Sequence, residues 1–235
     1  MDIVIDANPA WLTGFQAEHG SKHLLAMSRG KDALASWCVM LEAGIEVHPV
    51  HFSVVPGLEF VAESLAALSA KFGVPILDLP HRSLFRMLSA CVFQSPERVA
   101  AIDAWDPKVP EYTDLYAYAR AHFGLPSSAL TASGVRACDS IVRRIGFKKY
   151  GAVRQKSQTF YPVWNFNKAQ TLAVLKRHDV KLPIDYEWFG RSFDGVDRRF
   201  LAPLATHAPA DYRRVLEWFP LAELELFRAT MGAAS

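Results

Sequence analysis

The sequence predicts an α/β fold: an open, mainly parallel five-stranded sheet with helices on both faces, followed by a helical C-terminal tail. Three observations predict it. Short apolar, β-branched runs alternate along the first half of the chain with segments of helical spacing, the order expected of βαβ units. With 51% hydrophobic and 21% charged residues, the 235-residue chain has the composition of a packed domain and not of a disordered one. No apolar run approaches the ~20 residues that span a bilayer, so no transmembrane helix is expected.

Each element has a local cause. Asn8-Pro9 is the pattern of a helix cap followed by proline in the first turn, and predicts a short helix near Trp11 to Glu18. His23 to Met27 is a short apolar run and predicts a buried first strand. Ser28-Arg29-Gly30 breaks it, and Lys31 to Ala43 then predicts a helix ending at Gly44. Val47 to Val55 is β-branched and predicts the second strand. Leu58 to Phe72 places Phe60, Leu65, Leu68 and Phe72 on one helical face and stops at Gly73; Val74 to Leu77 predicts the third strand. Helices are expected over Ser83 to Val92, Pro96 to Ala104 and Tyr112 to Phe123. A weaker strand follows at Ser128 to Thr131, a loop at Ser133-Gly134, a short helix at Asp139 to Ile145 and a last strand at Gln158 to Tyr161. Asn167 with Gln170 three residues on forms a capping-box pattern before a helix to about Arg177. From Asp185 the chain is helical or irregular and rich in aromatics. The expected organisation is a core over 1–165 and a helical extension over 166–235 packed on it as one structural unit.

The acidic start, Met1 to Asp6, lacks the basic segment of a secretory signal. Cys38, Cys91 and Cys138 are odd in number and far apart, so neither a disulfide framework nor a CxxC site is expected, and a reducing cytoplasm is the natural compartment. The formal charge of +2 hides an imbalance. Between Arg136 and Lys156 lie Arg136, Arg143, Arg144, Lys148, Lys149, Arg154 and Lys156 against Asp139 alone, a local excess of +6. Such a stretch fits an anionic partner, either nucleotide phosphates, sulfate or nucleic acid, or else a solvated face.

Ser28-Arg29-Gly30-Lys31-Asp32-Ala33 falls where the first strand ends and a helix begins. Free backbone N–H groups and the positive end of a helix dipole make that junction an anion site. Gly30 lets the backbone approach a phosphate, Lys31 supplies charge and Ser28 a hydroxyl. The GxxxxGK[ST] spacing of a Walker loop and the GxGxxG of a dinucleotide fingerprint are both absent there.

This hexapeptide resembles the SGGKDS pyrophosphate-binding loop (PP-loop) of N-type ATP pyrophosphatases and of phosphoadenosine phosphosulfate (PAPS) reductases, with Arg29 in place of a glycine and Ala33 in place of a serine. Three further segments follow in that family's order. Val55-Pro56-Gly57-Leu58-Glu59-Phe60 resembles DTGxEF. Gly134-Val135-Arg136-Ala137-Cys138-Asp139-Ser140 with Arg143-Arg144 resembles GxRxxDS…R. Tyr161-Pro162-Val163-Trp164-Asn165-Phe166-Asn167 resembles YPIxDW[ST]. The VPGLEF variant looks most like the PAPS-reductase-like proteins encoded by many bacteriophages, which implies a bacterial host cytoplasm.

The resemblance implies an adenine nucleotide alpha hydrolase-like fold that takes ATP or PAPS at the carboxyl ends of its strands. Ser28, Arg29, Gly30, Lys31 and Asp32 would then form the phosphate loop, with Lys31, Asp32 and Arg136 as the catalytic set and Asp32 near a possible magnesium ion. Gly57 and Glu59 would lie beside the nucleotide. Gly134 and Asp139 would be among the nucleotide- or phosphate-binding residues, and Arg136, Arg143 and Arg144 would clamp the distal phosphate or sulfate, for which guanidinium forks suit. Lys168 is a weaker candidate.

The departures matter as much. The C-terminal ECG[IL]H segment of PAPS reductases is missing, since no cysteine follows Cys138. Where relatives carry a GCxxC-like stretch this chain reads Phe193-Asp194-Gly195-Val196-Asp197, so no iron–sulfur cluster is expected. Val55 replaces the DTG aspartate. Cys138, set among arginines, is either a small loop residue or a nucleophile of lowered pKa; Cys38 and Cys91 read as core. His48 and His51, three apart on a strand, point to opposite faces, and with no Cys/His cluster zinc is not expected. His81 reads as a loop residue near the ligand end. The Asp185 to Phe189 and Trp218 to Pro220 aromatics read as packing between tail helices, and Asp194, Asp197, Arg198 and Arg199 as a surface charge cluster.

Four functions follow from these features. One is ATP cleavage between the α and β phosphates, adenylating an unidentified acceptor. Another is sulfonucleotide reduction with an atypical cysteine. The third is a catalytically inert nucleotide-binding or host-interaction protein, and the fourth is nucleic-acid binding through 136–156. A homodimer is an expected possibility; a membrane partner is not.

Overall fold

The computed structural model describes residues 11–193 and 195–232. It is an α/β structure whose six-stranded sheet has the order β3-β2-β1-β4-β6-β5. Met1 to Asp6, Asn8-Pro9 and Asp194 lie outside the described residues.

The chain divides into two compact units that interleave in sequence. The first comprises Met1–His51, Ser69–Leu77 and Tyr116–Leu182; the second comprises Phe52–Leu68, Asp78–Leu115 and Pro183–Ser235. In the first unit, helix α1 (Trp11–His19) precedes strand β1 (Lys22–Ala26), and helix α2 (Lys31–Glu42) leads to strand β2 (Glu46–Ser53), which pairs with β1 in parallel. Every side chain of α2 from Ala33 to Met40 is buried, because the helix lies between β1 and helix α8 (Lys168–Arg177). A helix buried all round needs no polar stripe, and Ala33-Leu34-Ala35-Ser36-Trp37-Cys38-Val39-Met40 has none. Trp37 stacks on Phe72 with ring centroids 4.0 Å apart, and burial pushes the Cys38 thiol up to about 12. Gly44 takes φ +74 after α2, with its N–H on the Leu41 carbonyl and that of Ile45 on the Met40 carbonyl. This paired arrangement satisfies two carbonyls at the helix end.

Strand β4 (Thr131–Ala132) pairs in parallel with β1 on its other side and with β6 (Thr159–Phe160). Strand β5 (Val153–Arg154) runs antiparallel to β6 and is a sixth strand where five were expected; two residues are too few to carry an alternating pattern. The expected strand at Ser128 to Thr131 shrinks to Thr131–Ala132, because Ala129 closes a turn on the Pro126 carbonyl and gives its own carbonyl to Arg120 Nε at 2.7 Å. The helix expected at Asp139 to Ile145 begins later and runs further, as α7 (Ile141–Tyr150). Ser140 caps it by accepting the Arg143 N–H, and Lys148 and Lys149 sit at its negative end. The capping box of α8 forms in both directions: the Asn167 N–H reaches Gln170 at 2.7 Å and the Gln170 N–H reaches Asn167 at 2.9 Å.

The second unit holds the N-terminal part of helix α3 (Glu59–Phe72), the bulk of strand β3 (Leu77–Pro80), and helices α4 (Arg82–Ser89), α5 (Pro96–Trp105) and the start of α6 (Tyr112–His122). It also holds α9 (Asp185–Phe189), α10 (Arg198–His207), α11 (Pro209–Trp218) and α12 (Leu224–Gly232). β3 falls three residues later than expected, since Pro75 has no N–H to give a ladder. Helix α4 stops at Ser89, short of the expected Val92: Cys91 and Phe93 turn the chain back with φ +49 and +56. Cys91 is therefore a half-buried turn residue and not helical core. The tail aromatics do pack on one another, with Phe193 stacked on Phe200 at 4.3 Å and Trp188 on His207 at 5.4 Å.

His23 ties the edge of β1 to β4. The ring is fully buried; its Nδ1 accepts the Leu130 N–H at 3.1 Å, so Nε2 carries the proton and donates to the Gly20 carbonyl at 3.0 Å. Burial pulls its pKa below the usual 6.5, against the opposing pull of the Gly20 carbonyl. The neutral form is thus the folded form, and its stabilisation is complete above pH 6.5 and lost as pH falls toward the lowered value. Urea unfolding between pH 7.5 and 5.5 is expected to lose stability with a slope of up to about 1.4 kcal/mol per pH unit from this group. In His23→Gln that part of the slope disappears.

Candidate functional site

The order β3-β2-β1-β4 means that the chain builds outward from β1 in one direction and then returns to place β4 on the opposite side. The loops leaving β1 and β4 therefore diverge from neighbouring carboxyl ends, which is the switch point where open α/β sheets hold ligands. The loop after β1 is 27–30, and the loop after β4 carries Gly134, Arg136 and Asp139. Both candidate loops thus come together in the first unit.

The first loop is tight. The Gly30 N–H lies 3.3 Å from Ser28 Oγ, and Gly30 caps α2 from extended backbone with φ −76°. The left-handed residue is Arg29, at φ +58 and 2% exposed. A non-glycine residue costs roughly 1–2 kcal/mol in that conformation, which is the physical content of arginine standing where the resembling loops carry glycine. Lys31 Nζ is 2.8 Å from Asp32 Oδ2, and both side chains are part-buried.

The second loop is pressed onto the first. A Cβ added at Gly134 would lie 2.6 Å from the Ala33 nitrogen and 2.6 Å from the Asp32 carbonyl carbon, so only glycine fits there. Arg136 is 6% exposed and its guanidinium is engaged on three sides. Nη2 donates to Asp139 Oδ1 at 2.8 Å, Nη1 to Thr171 Oγ1 at 3.2 Å, and Nε stands 3.0 Å from Asp32 Oδ1. That last approach is an ion pair without hydrogen-bond alignment, and both atoms are buried without a hydrogen bond. Asp139 also accepts the Arg136 backbone N–H at 2.9 Å and Arg143 Nη1 at 3.0 Å. Asp32, Arg136, Asp139 and Arg143 form one alternating chain of charges.

Arg136 is thus a strut between two carboxylates, whereas Arg143 and Arg144 lie on the exposed face of α7. Lys168 is the exposed first residue of α8. Asp32 is a single carboxylate already neutralised from two sides, and among the described residues no group of three or more His, Cys, Asp or Glu could hold a metal ion. Magnesium takes one or two carboxylates together with substrate phosphates, and the one carboxylate here, Asp32, is held by Lys31 and Arg136. Cys138 is exposed, and its thiol donates to the Phe166 carbonyl at 3.2 Å.

Gly57 and Glu59 belong to the second unit. Gly57 turns the chain with φ +82 ahead of α3, and Trp218 Nε1 donates to the Pro56 carbonyl at 3.2 Å. The free N–H groups at the start of α3 are taken by a residue that sequence reasoning missed: Asp211, 2% exposed, accepts from the Glu59 N–H at 2.6 Å and the Phe60 N–H at 3.1 Å. This helix start is capped from within the protein. Nothing local to either segment signals the pairing, because 152 residues separate them.

His48 is half-buried beside Phe123, while His51 is buried with Nδ1 2.7 Å from the Met27 carbonyl. His81 is not a simple loop residue: it caps α4 by accepting the Ser83 N–H at 2.9 Å and contacts the Tyr112 hydroxyl at 3.0 Å. Asp197 caps α10 and pairs with Arg199.

Neither a family model nor a curated protein matches the sequence. Among solved structures, the chain is similar to an NH3-dependent NAD synthetase from Campylobacter jejuni in complex with a nitrate ion, at 11% identity and a TM-score of 0.46, covering 97% of this chain and 95% of that one. It is also similar to a phosphoadenylyl-sulfate reductase from Candida auris in a phosphate complex, at 12% identity and a TM-score of 0.47, covering 79% and 86%. Among the described residues, no helix is long and apolar enough to cross a membrane.

Gly134→Ala is expected to destabilise the protein by about 1–3 kcal/mol, the range for a forced overlap in a packed site, and to weaken any ligand held by 28–32; chemical unfolding and ligand titration of the same variant check both. Asp211→Ala is expected to cost about 1–2 kcal/mol, the value of a lost helix cap, read by urea unfolding at neutral pH.

Proposed function

We propose that the chain is a PP-loop enzyme that binds an adenine nucleotide through its phosphates and cleaves ATP between the α and β phosphates, transferring AMP to an acceptor oxygen. One observation carries this: two loops at the switch point of a parallel sheet are locked together by Gly134 against Asp32–Ala33 and by the Asp32–Arg136–Asp139 chain. The α2 N-terminus at Gly30 supplies backbone N–H groups to a phosphate, Ser28 a hydroxyl beside them, and Lys31 a point charge. Arg143 and Arg144, on the exposed face of α7, suit the distal phosphate.

The acceptor oxygen attacks the α-phosphorus, and pyrophosphate departs with the electron pair of the broken P–O bond. Preorganised N–H dipoles and cations stabilise the charge that grows on the leaving group, at no cost of reorganisation. Arg136 acts through Asp32 and is a positioning residue. Magnesium enters with the nucleotide as part of the substrate.

Isothermal titration and thermal unfolding of wild type and Lys31→Ala with ATP, AMP, PAPS and adenosine bisphosphate test the proposal. Lys31→Ala is expected to weaken ATP binding about tenfold or more, about 1.4 kcal/mol, and wild type is expected to release pyrophosphate in the presence of its acceptor. Equal ATP affinity in both proteins removes the proposal. A shift confined to PAPS moves the function to sulfonucleotide chemistry.

A further inference from the structure

Helix α7 presents a face that a folded chain rarely leaves to water. Ile141, Val142 and Ile145 are 73%, 79% and 61% exposed, while Phe147 on the opposite side is buried. Positions 141, 142 and 145 lie within about 100° of one another around a helix of 3.6 residues per turn, so the three aliphatics form one patch. Lys148 and Lys149 follow on that side, one turn on, with Arg144 at its margin. Among the described residues, none of Arg144, Lys148 and Lys149 has a carboxylate at ion-pair distance. An apolar centre ringed by cations is the anatomy of a protein interface. Contacts to nucleic-acid phosphates would use the cations but not the three aliphatic side chains.

The complementary surface is on the same chain. From Asp103 to Asp114 the sequence carries Asp103, Asp106, Glu111 and Asp114 against Lys108 alone. All five charged side chains are exposed, and Trp105, the last residue of α5, is 59% exposed among them. Asp106 pairs with Lys108 and Glu111 with Arg82, which leaves Asp103 and Asp114 without an ion-pair partner among the described residues. A large aromatic with acids close by in sequence matches an aliphatic patch flanked by bases: the indole packs on Ile141 and Ile145, its face accepts a lysine ammonium, and the carboxylates meet the remaining cations. Like charge disfavours the pairing of α7 with its own copy.

We propose that these two surfaces bind each other between copies, so that the chain self-associates with α7 of one molecule on the α5–α6 connection of a second. This goes beyond the nucleotide chemistry proposed above, with which it shares only Arg144.

Sedimentation velocity of the full chain over a wide concentration range tests it, with Ile145→Asp, Trp105→Ala and charge reversals as variants. All these side chains are exposed, and circular dichroism confirms folding. The weight-average mass of wild type is expected to rise with concentration. Ile145→Asp and Trp105→Ala are each expected to raise the dissociation constant about tenfold or more, as loss of an interface anchor does. Lys148→Glu with Lys149→Glu weakens association, as does Asp103→Lys with Asp114→Lys; the four changes together restore it. A wild type that stays monomeric throughout overturns the proposal. So does association that these variants leave unchanged, or a monomer that binds duplex DNA through Lys148 and Lys149.

Discussion

The contact between Gly134 and the backbone of Asp32 and Ala33 is the constraint on which the rest of the candidate site depends. Parallel strands one position apart carry their loops out side by side, but side by side is not in contact. Here the second loop reaches the first helical turn of α2 with no side chain between them. That approach brings Arg136 within 3.0 Å of Asp32 and lets the same guanidinium hold Asp139. In the loop after β1, Arg29 takes the left-handed conformation despite its side chain.

The charges follow from that geometry. A buried guanidinium costs several kcal/mol in lost hydration unless its partners are close and well aligned. Arg136 has two carboxylates and a threonine hydroxyl, which offset the cost and make the group a poor candidate for letting go to a ligand. Lys31, part-buried beside Asp32, is differently placed: a single rotatable ammonium can leave one anion for another. The second unit handles a helix terminus by other means. The N–H groups that start α3, an anion site in the abstract, are satisfied by Asp211. An exposed helix start and an internally capped one look alike in sequence.

Much of the fold was legible because local chemistry decided it. The capping box at Asn167 and Gln170, the stop of α2 at Gly44 and the helical spacing of α3 each depend on residues within one or two turns, and each is found where it was expected. The misplaced pieces are short or depend on a neighbour. β3 starts beyond Pro75, β4 is cut back by a turn and a buried arginine, and β5 exists only because β6 lies beside it. The candidate loop after β1 was legible as a strand-to-helix junction for the same local reason, its small and charged residues lying between Ala26 and Lys31.

By itself the sequence determined where α2, α3 and α8 begin and end, and that free N–H groups and a helix dipole stand at the 28–33 junction, because caps, glycine stops and helical spacing are properties of neighbouring residues. Only the tertiary structure decided which of those groups remain available. Strand order put β4 beside β1, and so brought Gly134 onto Asp32 and Arg136 between Asp32 and Asp139. Packing within the second unit brought Asp211 to Glu59 and Phe60. The physical reason is common to both: a buried hydrogen bond or ion pair is satisfied by whichever partner the fold brings within about 3 Å, and separation along the chain does not enter.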